Sequence, residues 1–392
     1  MAIKVIHAVT IPLSLKLMKG QLAYLKREGY EVRAISSEGD YIQVFEEYEE
    51  AKVLTVNMER EISLIQDFKS LMACIRLFRK ERPDIVNAGT PKAGLIVTLA
   101  AFLCGVPVRI YNVLGLRLET TGGLKRKILH AAEKIAATAA TDVLAVSPSL
   151  KEQLISLGIA PEHKIRILGQ GSYNGFDLES FKMTASLKSE IEQIRQTTGL
   201  SSQHTVLGYV GRLTKDKGIE ELVESFLYLH ETNPNLRLLV VGDFEEGDAV
   251  SNATKTEIME NPHIIYRGYQ HNPIPFYFLM DIFVFLTKRE GFGNVSLEAS
   301  LAGVPVLAAD VTGARDTVVL GETGLLVDPE NVNKVITQLD YLIANPDLRK
   351  QMGVQGKKWG EENFSNETIW HEMDDFYQKT LIERAGFIEE TS

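Results

Sequence analysis

Short runs of β-branched and other apolar residues recur along the first half of the chain, at Ile3–Val9, Glu31–Ser36, Lys52–Val56, Asp84–Ala88, Val108–Val113 and Thr141–Ser147. Between most of them the apolar positions fall at helical spacing, near Leu13–Arg27, Ile65–Arg82, Lys92–Cys104 and Leu124–Ala140. Strands alternating with helices predict a parallel, doubly wound α/β sheet. Thr90-Pro91 supplies a helix start, an N-cap residue ahead of proline at the first helical position, and Gly105 marks the end of that helix. A second series of strands follows at Thr205–Val210, Leu236–Val241, His263–Tyr266, Ile282–Leu286, Pro305–Ala309 and Leu325–Val327. The Gly- and Ser-rich segment Gly169–Gly175 between the two series reads as a linker or hinge. Ile369, Trp370, Met373, Phe376, Tyr377 and Leu381 recur at helical spacing, so an amphipathic helix closes the chain.

These 392 residues suggest two or three domains. With 45% hydrophobic and 24% charged residues the composition is that of a folded globular protein, with disorder expected only at Glu389–Ser392. The expected domains are residues 1–170, joined by a terminal helix at 365–385, and residues 171–364. Met1–Val9 reads as a buried strand rather than a signal peptide. The longest apolar stretch, Ala93–Val108, is broken by Gly105 and Pro107 and falls short of the roughly 20 residues that span a bilayer. Cys74 and Cys104 sit in apolar helical stretches without metal-ligand spacing, which fits a reduced cytosolic compartment.

Charge changes this picture. Residues 1–170 carry 23 Lys and Arg against 18 Asp and Glu, a balance of +5, and the remainder carries 19 against 34, or −15. Chance drift would produce such an asymmetry, and so would a first half that faces an anionic membrane or phosphate-bearing substrate.

Ligands of open α/β sheets bind outside the carboxyl ends of the strands, and two such domains facing one another would leave a cleft there. Three segments reach that position. Gly208–Gly218 places Arg212 and Lys217 in the loop before a helix that starts near Ile219, an arrangement suited to a diphosphate and equally compatible with an ordinary solvated loop. Glu290–Glu298 runs through a glycine-containing loop into a helix that starts around Asn294. Its carboxylates suit sugar hydroxyls and its amides suit phosphate oxygens, although Glu298 also fits a residue that merely complements the helix dipole. Tyr266–Gln270 offers backbone to a nucleobase edge, or is a plain turn.

Taken together, Gly211-Arg212, Lys217-Gly218, the Glu290/Glu298 spacing, Ala302–Val306 and Gly313 resemble the retaining glycosyltransferases of family 4 over essentially the whole chain. That resemblance implies a GT-B fold, two doubly wound Rossmann-like domains facing a central cleft, and a nucleoside diphosphate sugar as donor, most commonly a UDP-sugar. It implies that Arg212 and Lys217 hold the diphosphate, that Glu290 meets the donor sugar and that Glu298 meets the ribose. Arg212, Lys217 and Glu290 are the expected catalytic groups. Gly211, Gly268, Tyr269, Gly291, Phe292, Gly293, Asn294 and Val295 complete the expected donor site.

In the first half, Asn87–Gly94, Gly115–Thr120, Ser147–Leu150 and Gly171–Gly175 resemble a narrower group, the bacterial capsule, exopolysaccharide and glycan-assembly transferases. Their acceptor, a saccharide on polyprenyl diphosphate at the cytoplasmic face of the membrane, places Thr90, Lys92, Arg117, Glu119, Lys125, Arg126 and Lys127 on the acceptor or membrane side. Basic residues Lys16, Lys19, Lys26 and Arg27 on an early helix with Leu15, Leu17, Met18 and Leu22 add to a peripheral surface for anionic lipid.

Two departures from the family pattern stand out. Thr10-Ile11-Pro12-Leu13 replaces the glycine-rich loop after the first strand, and Leu114 stands where many members have a histidine. His7 lies within a strand and reads as a core residue, so no catalytic histidine is named. Without an Asp-x-Asp motif after a strand, the expected reaction needs no metal and no cofactor. An epimerase, or a silent scaffold that binds sugar nucleotide, remains the competing reading on the same fold. A phosphorylase lacks a cofactor-lysine motif. A dinucleotide dehydrogenase lacks Gly-x-Gly-x-x-Gly after the first strand, and no nucleic-acid partner is expected.

Overall fold

The computed structural model describes residues 2–59 and 63–385. The disorder expected at Glu389–Ser392 lies outside the described residues. The chain forms two compact units, one built from Met1–Gly175 together with the terminal segment from Asn366, the other from Phe176–Ser365.

The first unit holds strands β1 (Lys4–Ala8), β2 (Glu31–Ser36), β3 (Lys52–Thr55), β4 (Ile85–Ala88), β5 (Val108–Val113), β6 (Asp142–Ala145) and β7 (Ile165–Arg166). They pair in parallel in the order β3-β2-β1-β4-β5-β6-β7. Helices α1 (Gln21–Arg27), α2 (Tyr41–Glu49), α3 (Leu64–Glu81), α4 (Pro91–Leu103), α5 (Gly123–Ala139) and α6 (Pro148–Ser156) connect them. β4 and β6 are buried along their whole length, as strands covered on both faces must be.

The second unit holds α7 (Ala185–Thr198) and strands β8 (Thr205–Val210), β9 (Leu236–Val241), β10 (Ile264–Tyr266), β11 (Ile282–Phe285), β12 (Val306–Ala309) and β13 (Gly324–Val327). Their order is β10-β9-β8-β11-β12-β13, again parallel throughout. Helices α8 (Ile219–Thr232), α9 (Asn252–Glu260), α10 (Ile274–Tyr277), α11 (Asn294–Leu301), α12 (Val332–Ala344) and α13 (Pro346–Asn363) complete it. Alternate side chains of its strands feed two apolar cores. Leu238, Val240 and Val284 pack with α8 and α12, while Leu239, Val241 and Phe283 pack with α7 and α10.

The terminal helix α14 (Asn366–Ala385) belongs to the first unit. Ile369, Met373, Tyr377 and Leu381 on one face of it are buried. A buried polar chain ties this face to the sheet. Asn112 Nδ2 donates to Asn87 Oδ1, Asn87 Nδ2 donates to the Tyr377 hydroxyl at 2.6 Å, and that hydroxyl shares a hydrogen bond with His7 Nε2 at 2.8 Å. Burial holds the His7 ring down to about 3, so it stays neutral, a core histidine.

Two local readings of the sequence are corrected. The helix expected over Leu13–Arg27 is a 3₁₀ stretch, Pro12–Met18, followed by the short α1. Gly20 breaks it at φ 83°, and the buried Glu49 carboxylate accepts from the Ala23 amide at 3.0 Å to cap the new start. Thr90 precedes Pro91 as expected but does not cap α4: it sits at φ 65° and its Oγ1 bonds Thr10 Oγ1 at 2.7 Å. The Gly169–Gly175 segment, read as a linker or hinge, runs up to the boundary between the units and is held within the first. Ser172 N donates to the Val146 carbonyl at 2.8 Å, Tyr173 is buried, and Trp370 Nε1 donates to Asn174 Oδ1 at 2.7 Å.

Candidate active site

In the second sheet the chain leaves β8 toward β9 and leaves β11 toward β12, in opposite directions. The β8 and β11 ends therefore flank the topological switch point, where open α/β sheets bind their ligands. The loops that follow these two strands carry Arg212, Lys217 and Glu290. Lys217 Nζ lies 2.6 Å from Glu290 Oε2 and 3.4 Å from Thr287 Oγ1, and the Gly291 amide donates to Glu290 Oε1 at 3.1 Å.

The two loops are stitched together by Asp216. Its carbonyl accepts from the Lys288 amide at 2.7 Å, its Oδ2 pairs with Arg289 at 3.1 Å, and its Oδ1 accepts from Thr214 Oγ1 at 2.6 Å. Burial pushes the Asp216 carboxyl up, but the Thr214 hydroxyl and the Lys217 and Arg289 cations outweigh it and hold the group below its ordinary value. Gly218 is required at this seam. It adopts φ 71°, and a Cβ there would lie 2.2 Å from the Leu286 carbonyl oxygen.

Arg212 is exposed and pairs with Glu245, which follows β9; its carbonyl accepts from the Tyr209 hydroxyl at 2.8 Å. Past β11 the loop turns into α11 through Gly293, left-handed at φ 86°, where a Cβ would meet the Phe285 ring at 2.7 Å. Phe292 is buried against Phe364, Asn294 is exposed at the first helical position and Val295 is half-buried. Glu298 keeps a minority of its surface accessible, yet protein surrounds its carboxyl. Burial pushes that carboxyl up to about 7, against the opposing pull of the Tyr277 hydroxyl, which donates to Oε2 at 2.7 Å. Glu298 therefore does more than face a helix dipole.

The third expected segment is partly committed within the domain. The Gly268 carbonyl accepts from Gly242 N at 2.8 Å, and Tyr269 N donates to Asp243 Oδ1 at 3.0 Å, while the Tyr269 ring is exposed.

With this geometry in view, comparison with known proteins is decisive. Residues 18–171 match the model of a glycosyl transferase 4-like domain and residues 190–359 that of the glycosyl transferases group 1. The chain is 42% identical to the capsular polysaccharide biosynthesis glycosyltransferase CapM of Staphylococcus aureus, over 98% of this chain and 99% of that one. The chain belongs to the family 4 glycosyltransferases. An Escherichia coli relative, UDP-Gal:alpha-D-GlcNAc-diphosphoundecaprenol alpha-1,3-galactosyltransferase, is 26% identical over 86% of this chain and 87% of its own. Among solved structures, Anabaena Alr3699/HepE in complex with UDP-glucose superposes with a TM-score of 0.77 at 21% identity, covering 96% of this chain and 99% of that one. These likenesses establish the GT-B fold for this glycosyltransferase.

In the first unit of the glycosyltransferase the expected acceptor-side residues lie at the start of α4, in a 3₁₀ turn and at the start of α5. Thr90 is turned toward Thr10, and Lys92 is largely buried in an ion pair with Asp67 at 2.6 Å. Arg117 is exposed in a 3₁₀ turn at Arg117–Thr120, with Glu119 half-buried beside it. Lys125, Arg126 and Lys127 are exposed on the first turns of α5, flanked by exposed Leu124 and Ile128. The early basic segment fits a lipid surface less well. Leu15, Met18 and Leu22 are buried in the core, Lys16 and Lys19 lie over the rings of Tyr41 and Tyr48, and Lys26 pairs with Glu50 at 2.9 Å. No helix among the described residues is long and apolar enough to cross a membrane.

Sequence reasoning passed over Asp216, Thr287, Arg289 and Glu245, which hold the expected site residues in place, and Tyr277, which meets Glu298. Asp216 and Arg289 stand beside Lys217 and Glu290 in sequence and were findable as an opposite-charge pair on two neighbouring loops. Nothing local marks Tyr277.

Proposed function

We propose that this glycosyltransferase moves a sugar, with retention of anomeric configuration, from a nucleoside diphosphate sugar to a saccharide carried on polyprenyl diphosphate, in the assembly of a bacterial surface polysaccharide. The observation that carries the reading is the junction of Lys217 and Glu290, a cation and a carboxylate brought from two loops to the switch point of the second sheet. A UDP-sugar is the favoured donor: the Escherichia coli relative uses UDP-Gal by its name, and the Anabaena structure holds UDP-glucose. The lipid-linked acceptor rests on the same relative, whose named acceptor is a diphosphoundecaprenol.

In this reading Lys217 and Arg212 face the diphosphate and stabilise charge on it as the bond to the sugar breaks. Donor phosphate displaces the carboxylates that pair with the two cations, Glu290 from Lys217 and Glu245 from Arg212. Glu290, released, meets the donor sugar, and Glu298 accepts from the ribose. The acceptor hydroxyl attacks from the face the diphosphate leaves, and a diphosphate oxygen takes its proton. Fixed cations suffice for departure, so the reaction needs no divalent ion. The first unit meets the acceptor and associates with anionic lipid on the inner face of the cytoplasmic membrane through Leu124–Ile128 of α5, each basic residue contributing about 1 kcal/mol near such a surface.

The test is transfer to purified lipid-linked acceptor by chelator-treated enzyme, with the product's anomeric coupling read by NMR. Undiminished transfer with the donor's configuration kept is expected. Activity lost to the chelator and restored by magnesium overturns the metal-free step, and an inverted centre overturns retention. A change in the sugar of the donor without transfer points instead to an epimerase.

A further inference from the structure

The Tyr277–Glu298 contact joins two elements that have no sequence reason to meet. Tyr277 ends α10, a helix of one turn, and is fully buried. Its ring packs on Phe283 of β11 with centroids 5.6 Å apart. Its hydroxyl reaches α11 and donates to Glu298 Oε2 at 2.7 Å. Glu298 Oε1 has no hydrogen-bond partner among the described residues. Burial and the neighbouring Glu298 carboxyl keep the phenol protonated far above neutral pH, so it acts as a donor throughout. One titratable group faces this carboxyl, Tyr277, and Tyr209 on β8 lies near the Tyr277 hydroxyl in turn.

We propose that Tyr277 is a positioning residue for donor recognition: its hydroxyl fixes Glu298 by one carboxylate oxygen and presents the other, ionised, to the vicinal hydroxyls of a ribonucleotide. The inference rests on the reading of the second unit as the donor domain with Glu298 at the ribose, and adds the residue that sets this carboxylate. A ribose diol offers two O–H donors, and only an ionised carboxylate is purely an acceptor. Donor binding therefore favours the charged form of Glu298 and expels its proton. Tyr277 favours the same form, because a hydrogen bond to a carboxylate stabilises it against protonation. With the Glu298 carboxyl at about 7, the affinity for donor is level at high pH and weakens as pH falls through that value, by about tenfold from pH 8 to pH 6.

The experiment measures the dissociation constants of UDP-glucose and GDP-mannose by calorimetry between pH 5.5 and 8.5. Both have diphosphates esterified at each end, whose charge is constant over the window. Full-length wild type, Y277F and E298Q are compared. Wild type is expected to show the break near neutral pH. Y277F is expected to move the break upward, because the carboxylate loses its donor. E298Q is expected to abolish the break and to bind a 2′-deoxyribose analogue as well as the parent. A Y277F variant weakened equally at every pH, with the break unmoved, shows a merely structural tyrosine and overturns the proposal. So does a wild type with no break, or one that keeps its break in E298Q. Should Y277F fail to fold, E298Q decides alone, by loss or retention of the break and of ribose preference. A chain that binds neither nucleotide sugar contradicts the donor-domain reading itself, which separates that failure from this one.

Discussion

Replacing Lys217 by methionine removes the cation from the junction of the two site loops and leaves Glu290 held by the Gly291 amide at 3.1 Å. The Lys217 and Glu290 side chains are 14% and 25% exposed, between a surface pair and a buried one. Exposed pairs contribute about 0–1 kcal/mol and breaking fully buried ones costs about 3–5 kcal/mol, so K217M should cost about 1–3 kcal/mol. In a domain of this size each kcal/mol lowers Tm by about 2–4 °C. The loss to the reaction is of a different kind. A fixed donor aimed at developing charge is worth about 10²–10³-fold in kcat. The two effects separate in K217M/E290Q, where no unpaired carboxylate remains. Thermal melts should recover most of the lost stability in the double variant, while kcat at saturating donor should stay at least as low as in K217M. Full kcat in K217M, or activity restored together with stability in the double variant, would refute the assignment of Lys217 to the leaving diphosphate.

Two further outcomes follow from the first unit. Burial pushes the Glu133 carboxyl, hydrogen-bonded to Tyr111, up to about 7, so between about pH 4.5 and 7 the folded chain binds more protons than the unfolded one and this group's contribution makes stability fall as pH rises. E133Q should flatten that decline in chemical unfolding measured across the window, and an unchanged pH dependence would place its origin elsewhere. Wild type should sediment with anionic vesicles at low salt and be released by high salt, whereas K125E/R126E/K127E should remain free; equal sedimentation of the two would remove α5 from the lipid surface.

All strands but the two-residue β7 were legible as compact apolar runs, and β4 and β6 are buried throughout. The break at Gly20 was not, because the carboxylate that caps α1 comes from Glu49, 29 residues beyond Gly20 along the chain. α2 escaped notice because Tyr41–Glu49 is a short helix, and Asp40 before it makes no side-chain cap. α6 had its signal in Ser147-Pro148, where Ser147 accepts from the Leu150 amide. At the site, sequence motifs named Lys217 and Glu290 singly. Their contact follows from β8 and β11 lying side by side, a property of strand order rather than of local spacing. Tyr277 shows the limit most clearly, since a tyrosine on a one-turn helix acquires meaning only from the α11 carboxylate packed against it.

Binding of a nucleoside diphosphate sugar by the second unit is the central expectation. Thermal unfolding of the full chain in a panel of nucleotide sugars tests this directly. A ligand present at about 100 times its dissociation constant should stabilise the fold by about 2.7 kcal/mol, and Arg212→Ala and Glu298→Ala should each abolish most of that shift while melting near wild type without ligand. Absence of a shift with every nucleotide sugar, or a full shift in both variants, would contradict it.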